Sequence, residues 1–142
     1  MSALKETSVT KRRILLAEDN PNDVVLLKEA FMAEKLDVEI DCVTDGDQLL
    51  KLLTALGEGT QNPYALVILD VRLPRRSAEE VLLLLAEQEL RLGVPLIVLT
   101  TLISEQERAR LMRLGVTEVL SKPFDLKEYF ALARKIGAFL AA

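Results

Sequence analysis

The sequence predicts an α/β domain, a parallel sheet of five strands doubly wound with helices on both faces. Three observations carry this reading. Five short apolar runs alternate with five stretches of helical periodicity, and repeated β-α units imply parallel strands joined by right-handed crossovers. Three of the runs (Ile14-Leu15-Leu16, Leu66 to Leu69 and Leu96 to Leu99) are apolar without interruption, as strands covered on both faces must be. Each helical pattern also begins behind a residue suited to capping a helix.

In chain order, the first strand is expected at Ile14–Glu18. Asn20-Pro21 then places a capping residue before a proline at the first helical position. The second strand, Val38–Val43, alternates Val38, Ile40 and Cys42 with Glu39 and Asp41, the pattern of an edge strand with one wet face. Asp45 and Gln48 have capping-box spacing for the second helix. The stretch 57–63, rich in Gly, Thr, Gln and Asn, reads as a mobile loop. The third strand is Ala65–Asp70, and Ser77 with Glu80 opens the third helix. Gly93 and Gly115 each follow a helical pattern where a left-handed cap is wanted. Between them lie the fourth strand, Leu96–Thr100, and a fourth helix behind Ser104…Glu107. The fifth strand is Glu118–Ser121. Asp125…Glu128 starts the last helix, whose apolar positions are Leu126, Tyr129, Phe130, Ala133, Ile136 and Leu140. Residues 1–12 read as a flexible tail ahead of one domain, 13–142.

Composition narrows the function. At 142 residues a single domain buries roughly two-thirds of its unfolded surface. Half the residues are hydrophobic and 28% charged, with a net charge of −4. No basic block is long enough to track a phosphate backbone, which argues against a nucleic-acid partner. No apolar run approaches the roughly 18 residues of a membrane span, and residues 1–13 lack a signal-peptide core, so a cytoplasmic protein with no membrane partner is expected. The single cysteine, Cys42, forms no internal disulfide and reads as an inert edge or core residue. Histidine is absent, which excludes imidazole-dependent triads and any phosphohistidine of the chain's own.

In open α/β sheets, function gathers outside the carboxyl ends of the strands. There the first strand ends in Glu18-Asp19, the third in Asp70, the fourth in Thr100-Thr101 and the fifth in Ser121-Lys122-Pro123. Three carboxylates at one edge repel, and one would be protonated near neutrality without compensation. Two compensators fit. Magnesium takes carboxylate oxygens, waters and substrate phosphate, and Lys122 supplies a point charge on a flexible stem. With a hydroxyl from Thr100, favoured over its neighbour Thr101, these are the parts needed to move a phosphoryl group. The plainer alternative is a set of solvated strand-end carboxylates capping helices, with Lys122 a surface lysine.

Four motifs tip the balance: "ILLAEDN", "LVILDVRLP", "LIVLTT" and "SKPFD". They stand in order, with 30 residues from Asp70 to Thr100 and 22 from Thr100 to Lys122. In this the chain resembles the receiver domain of two-component response regulators, over residues 13–140. The opening "EDNPNDVVLLKEAF" and the 57–63 stretch further resemble the small stand-alone regulators that serve phytochrome-type kinases. The resemblance implies a flavodoxin-like strand order 2-1-3-4-5. It implies Asp70 as acceptor of phosphoryl from a sensor histidine kinase, and Mg²⁺ held by Glu18, Asp19, Asp70 and the main-chain carbonyl of Arg72. Thr100 and Lys122 would contact the phosphoryl oxygens, and the Arg72 side chain would shield the acyl phosphate from water. Such a domain is a phosphoacceptor rather than an enzyme, capable at most of catalysing its own phosphorylation and dephosphorylation. The last helix runs almost to Ala142 and leaves no room for an effector domain. Output would therefore travel by protein contact, and a homodimer through the face of helix four, strand five and helix five is one route.

The chain departs from the family pattern at three points. Val119 stands where an aromatic usually precedes the lysine by three residues, which puts the usual ring-coupled readout in doubt. Ser77-Ala78 replaces the usual Asp-Gly, and the acidic pair is Glu-Asp. Val119 is the best support for an alternative, a phosphorylation-independent interaction domain on the same fold. An FMN carrier is disfavoured because "EDNPND" would repel the cofactor's phosphate. An aspartate-based phosphatase is disfavoured because Arg72 occupies the place of its second acid.

Overall fold

The computed structural model describes residues 12–59 and 61–141. Its elements alternate strictly: β1 Arg12–Ala17, α1 Pro21–Ala33, β2 Val38–Val43, α2 Gly46–Glu58, β3 Tyr64–Asp70, α3 Ala78–Glu87, β4 Leu96–Thr100, α4 Glu105–Arg113, β5 Glu118–Ser121 and α5 Leu126–Ala141. All pairings are parallel, and the strand order is β2-β1-β3-β4-β5, as the resemblance implied.

The period-2 alternation of buried strands divides the core into two layers. Leu15, Ala17, Val67, Leu69 and Val98 face α2, α3 and α4, meeting Leu49, Leu53, Val81, Leu85 and Leu111. Ile14, Leu16, Leu66, Ile68, Ile97 and Leu99 face α1 and α5, meeting Leu27, Phe31, Tyr129, Ile136 and Leu140. Because the runs 14–17, 66–69 and 96–99 are apolar on both faces, the polar residues that follow them fall at the carboxyl edge. No helix among the described residues is long and apolar enough to cross a membrane.

The caps are where the sequence puts them. Asn20, Asp45, Ser77 and Ser104 each accept a backbone N–H of the following turn, and Ser77 with Glu80 forms a complete capping box. Asp125 Oδ1 likewise accepts the Glu128 N–H at 2.8 Å. At the other ends, Gly115 takes the left-handed conformation closing α4, with φ of 100°. Gly93 does not close α3, although its φ is also positive. Glu89 does so at φ 58°, letting the Leu90 N–H reach the Leu85 carbonyl at 3.1 Å. Leu90 then packs on the core, so the apolar contact, not glycine, chose the stopping point.

Several boundaries, and the character of one strand face, differ from expectation: β1 ends at Ala17, one residue before Glu18, and β3 begins at Tyr64, one residue before Ala65. β1 begins at Arg12, inside the segment expected as tail; residues 1–11 lie outside the described residues. The 57–63 stretch starts inside α2, whose last turn contains Gly57 and Glu58. Edge strand β2 is half-buried at Val38 and Ile40, but its polar face is not simply wet. Asp41 accepts the Tyr64 hydroxyl at 2.7 Å and pairs with Arg13, whose guanidinium lies 5.2 Å from the Tyr64 ring centre. Burial and the Asp41 hydrogen bond push the Tyr64 phenol up to about 12.

Candidate functional site

The carboxyl edge brings together Glu18, Asp19, Asp70 and Lys122, with Thr100 at the end of the neighbouring strand. β1 delivers Glu18, which is only 3% exposed, and the exposed Asp19; β3 delivers Asp70, 8% exposed. Each of the three brings a carboxylate oxygen within 4.8 Å of the others. Lys122, just past β5, reaches Asp70 Oδ2 and Glu18 Oε1, both at 2.8 Å. β4 ends at Thr100, which is 4% exposed, whereas Thr101 is exposed. Strand alternation therefore settles which hydroxyl points inward.

Two backbone amides fix the acids. The Arg72 N–H donates to Asp70 Oδ1 at 3.1 Å, and the Asn20 N–H to Glu18 Oε2 at 3.1 Å. The loop after β3 is held in turn. Arg75, at φ 71°, is the centre of a tight turn in which the Arg76 N–H donates to the Pro74 carbonyl at 2.8 Å. That carbonyl also accepts the Gly46 N–H at 3.0 Å. A Cβ on Gly46 would lie 1.9 Å from the Arg76 carbonyl oxygen, so only glycine lets α2 approach the loop this closely. Arg75–Asp45 and Arg76–Asp47 ion pairs flank the contact.

The electrostatics show a site short of positive charge. Burial, reinforced by the neighbouring Asp70 charge, pushes the Glu18 carboxyl up to about 7 despite its hydrogen bond from Lys122. Burial alone would lower the Lys122 ammonium, but hydrogen bonds to Asp70 and Glu18 outweigh it and hold the group well above its ordinary range. Three clustered oxygen donors with an excess of negative charge suit a small hard divalent cation.

Sequence reasoning missed Asp23. From the first turn of α1 it accepts Lys122 Nζ at 3.1 Å and the Tyr129 hydroxyl at 3.3 Å. An acid at a helix N-terminus is ordinarily read as a match to the helix dipole, so nothing local marked it. The Arg72 side chain makes its contacts on the β4–α4 side: its Nη2 donates to the Leu102 carbonyl at 3.4 Å and stands 3.8 Å from Glu107 Oε1. Thr100 donates its hydroxyl to that same carbonyl at 2.9 Å.

The sequence profile of the response regulator receiver domain matches residues 14–134. The chain belongs to that family. The response regulator Rcp1 of Synechocystis sp. PCC 6803 is 29% identical over 137 residues, spanning 96% of this chain and 93% of Rcp1. The regulatory protein VanRB of Enterococcus faecalis is 33% identical over 130 residues, but the chain spans only 54% of its length. Among solved structures, the phosphorylated cyanobacterial phytochrome response regulator RcpA aligns with a TM-score of 0.77 at 28% identity, over 94% of this chain and 96% of RcpA. The Mn²⁺-bound form of Rcp1 aligns with a TM-score of 0.73 at 31% identity, over 90% and 93%. Receiver domains are phosphoacceptors of two-component signalling, phosphorylated by histidine kinases, and this chain matches Rcp1 along nearly the whole of both proteins. A divalent cation site fits the family as it fits the acidic cluster.

Proposed function

We propose that Asp70 is the phosphoacceptor of this receiver domain and that the chain relays a signal by reversible aspartyl phosphorylation. The observation that carries the reading is the Lys122 ammonium, 2.8 Å from both Asp70 and Glu18 at the edge where Asp19 and Thr100 also converge. Glu18, Asp19, Asp70 and the Arg72 main-chain carbonyl would hold Mg²⁺. When bound, the cation neutralises charge on the oxygens of the transferring phosphoryl. Asp70, oriented by the Arg72 N–H and Lys122, attacks the phosphorus of a phosphohistidine; the new O–P bond forms as the P–N bond breaks, and the imidazole departs with the electron pair and takes up a proton. Lys122 and the Thr100 hydroxyl donate to the phosphoryl oxygens.

The likeness to Rcp1 and RcpA supports a phytochrome-type histidine kinase as donor. Exposed Leu102 (77%) on the β4–α4 connection, Phe124 (88%) on the β5–α5 connection and Leu126 (44%) at the start of α5 follow the strand ends that carry the site. They support output through protein contact, including a homodimer across α4, β5 and α5. The interaction-only alternative loses ground because a buried carboxylate paired with an ammonium sits in an acidic cluster fit for a cation, an arrangement that mere contact with a partner does not require. Phosphotransfer from an autophosphorylated phytochrome-type kinase tests the reading. Wild type should accept label only with Mg²⁺ and Asp70→Asn should not; equal labelling of the two would reject Asp70 as the acceptor.

A further inference from the structure

One carbonyl in the site serves two donors, and the inference drawn from it rests on Asp70 being the phosphoacceptor. The Leu102 carbonyl accepts the Thr100 hydroxyl at 2.9 Å and Arg72 Nη2 at 3.4 Å. The Leu102 N–H returns a bond to Thr100 Oγ1 at 3.3 Å, which locks the hydroxyl's resting direction. Glu107 Oε1, 3.8 Å from Arg72 Nη2 and on a side chain only 18% exposed, holds the guanidinium over this carbonyl.

A threonine hydroxyl has one proton to donate. Phosphorylation puts about two negative charges on Asp70, one strand away: Asp70 pairs with Leu99, the residue before Thr100. A charged acceptor out-competes a neutral carbonyl, so Thr100 can serve the phosphoryl only by abandoning Leu102. The guanidinium, with five donors in a fixed fork, already stands at the abandoned oxygen. We propose that Arg72 is a positioning residue that takes over the Leu102 carbonyl when Thr100 turns to the phosphoryl, lowering the cost of that turn. Arg72 thus acts through Thr100 and not on the phosphoryl.

The test is the Mg²⁺-dependent affinity for beryllofluoride, a phosphoryl mimic, in a double-mutant cycle. Arg72→Ala should weaken binding by about 3- to 10-fold with Thr100 present, the scale of one hydrogen bond. In the Thr100→Ala background it should have no further effect, because no hydroxyl then leaves the carbonyl. Glu107→Gln, which releases the guanidinium, should weaken binding in the same direction. An equal cost of Arg72→Ala in both backgrounds, or tighter binding by Glu107→Gln, would mean direct contact with the phosphoryl and overturn the proposal. No cost in either background would show water replacing Arg72 and overturn it too. Failure of wild type to bind beryllofluoride in Mg²⁺ would instead remove the Asp70 reading, and this inference with it.

Discussion

Replacing Lys122 with methionine keeps the length of the side chain and removes the ammonium bridging Glu18, Asp70 and Asp23. Breaking a buried ion pair from one side costs about 3–5 kcal/mol. The Lys122 side chain is 14% exposed, and Glu18 can relieve the repulsion by taking a proton, so roughly 2–3 kcal/mol is expected at pH 7.5 without Mg²⁺. The pH dependence separates this charge effect from lost packing. Glu18 is raised from 4.5 to about 7 in the folded protein, so between those values the folded state holds a proton that the unfolded chain has released. The Glu18 contribution to wild-type stability is therefore fully present below the unfolded value and is lost, by roughly 2–3 kcal/mol, as pH rises through about 7. Without Lys122 the Glu18 carboxyl moves higher still, and the decline extends above pH 7. Urea unfolding of both proteins from pH 5 to 8 measures this, and saturating Mg²⁺ should restore much of the loss because it binds only the folded site. A cost independent of both pH and Mg²⁺ would reduce Lys122 to a packing residue.

Other consequences follow from the same geometry. Gly46→Ala must push α2 off the β3–α3 loop, since its Cβ would meet the Arg76 carbonyl at 1.9 Å; urea unfolding should show a loss of at least about 2 kcal/mol. Ser77→Ala removes the capping box of α3 and should cost about 1 kcal/mol in the same assay. Thr100→Ala should weaken Mg²⁺-dependent beryllofluoride binding by roughly tenfold, whereas Thr101→Ala, at an exposed position, should leave it unchanged; isothermal titration compares them.

The parts of this molecule legible in its sequence are those that local chemistry dictates. Uninterrupted apolar runs alternating with helical patterns read as central parallel strands, and the carboxylates ending them then meet at one edge. Ser77, Asp45 and Asn20, each just ahead of a helical pattern, read as caps. What stayed hidden depends on tertiary approach. Asp23 joins the site because α1 folds back toward Lys122, 99 residues away in sequence. Glu89 displaces Gly93 as the helix terminator because Leu90 has a place in the core. Gly46 passes unnoticed in an ordinary Asp-Gly cap until the β3–α3 loop is laid against it. The Arg72 side chain, free to take many directions from sequence, is captured by Glu107 and a carbonyl that no sequence motif advertises.

The central claim is that Asp70 carries the phosphoryl group. Intact-protein mass after incubation with acetyl phosphate, with and without Mg²⁺, tests it most directly. Wild type should gain about 80 Da, the mass of one phosphoryl group. The gain should be labile, dependent on Mg²⁺, and absent from Asp70→Asn. An adduct that survives in Asp70→Asn, or one that forms equally without Mg²⁺, would contradict the account.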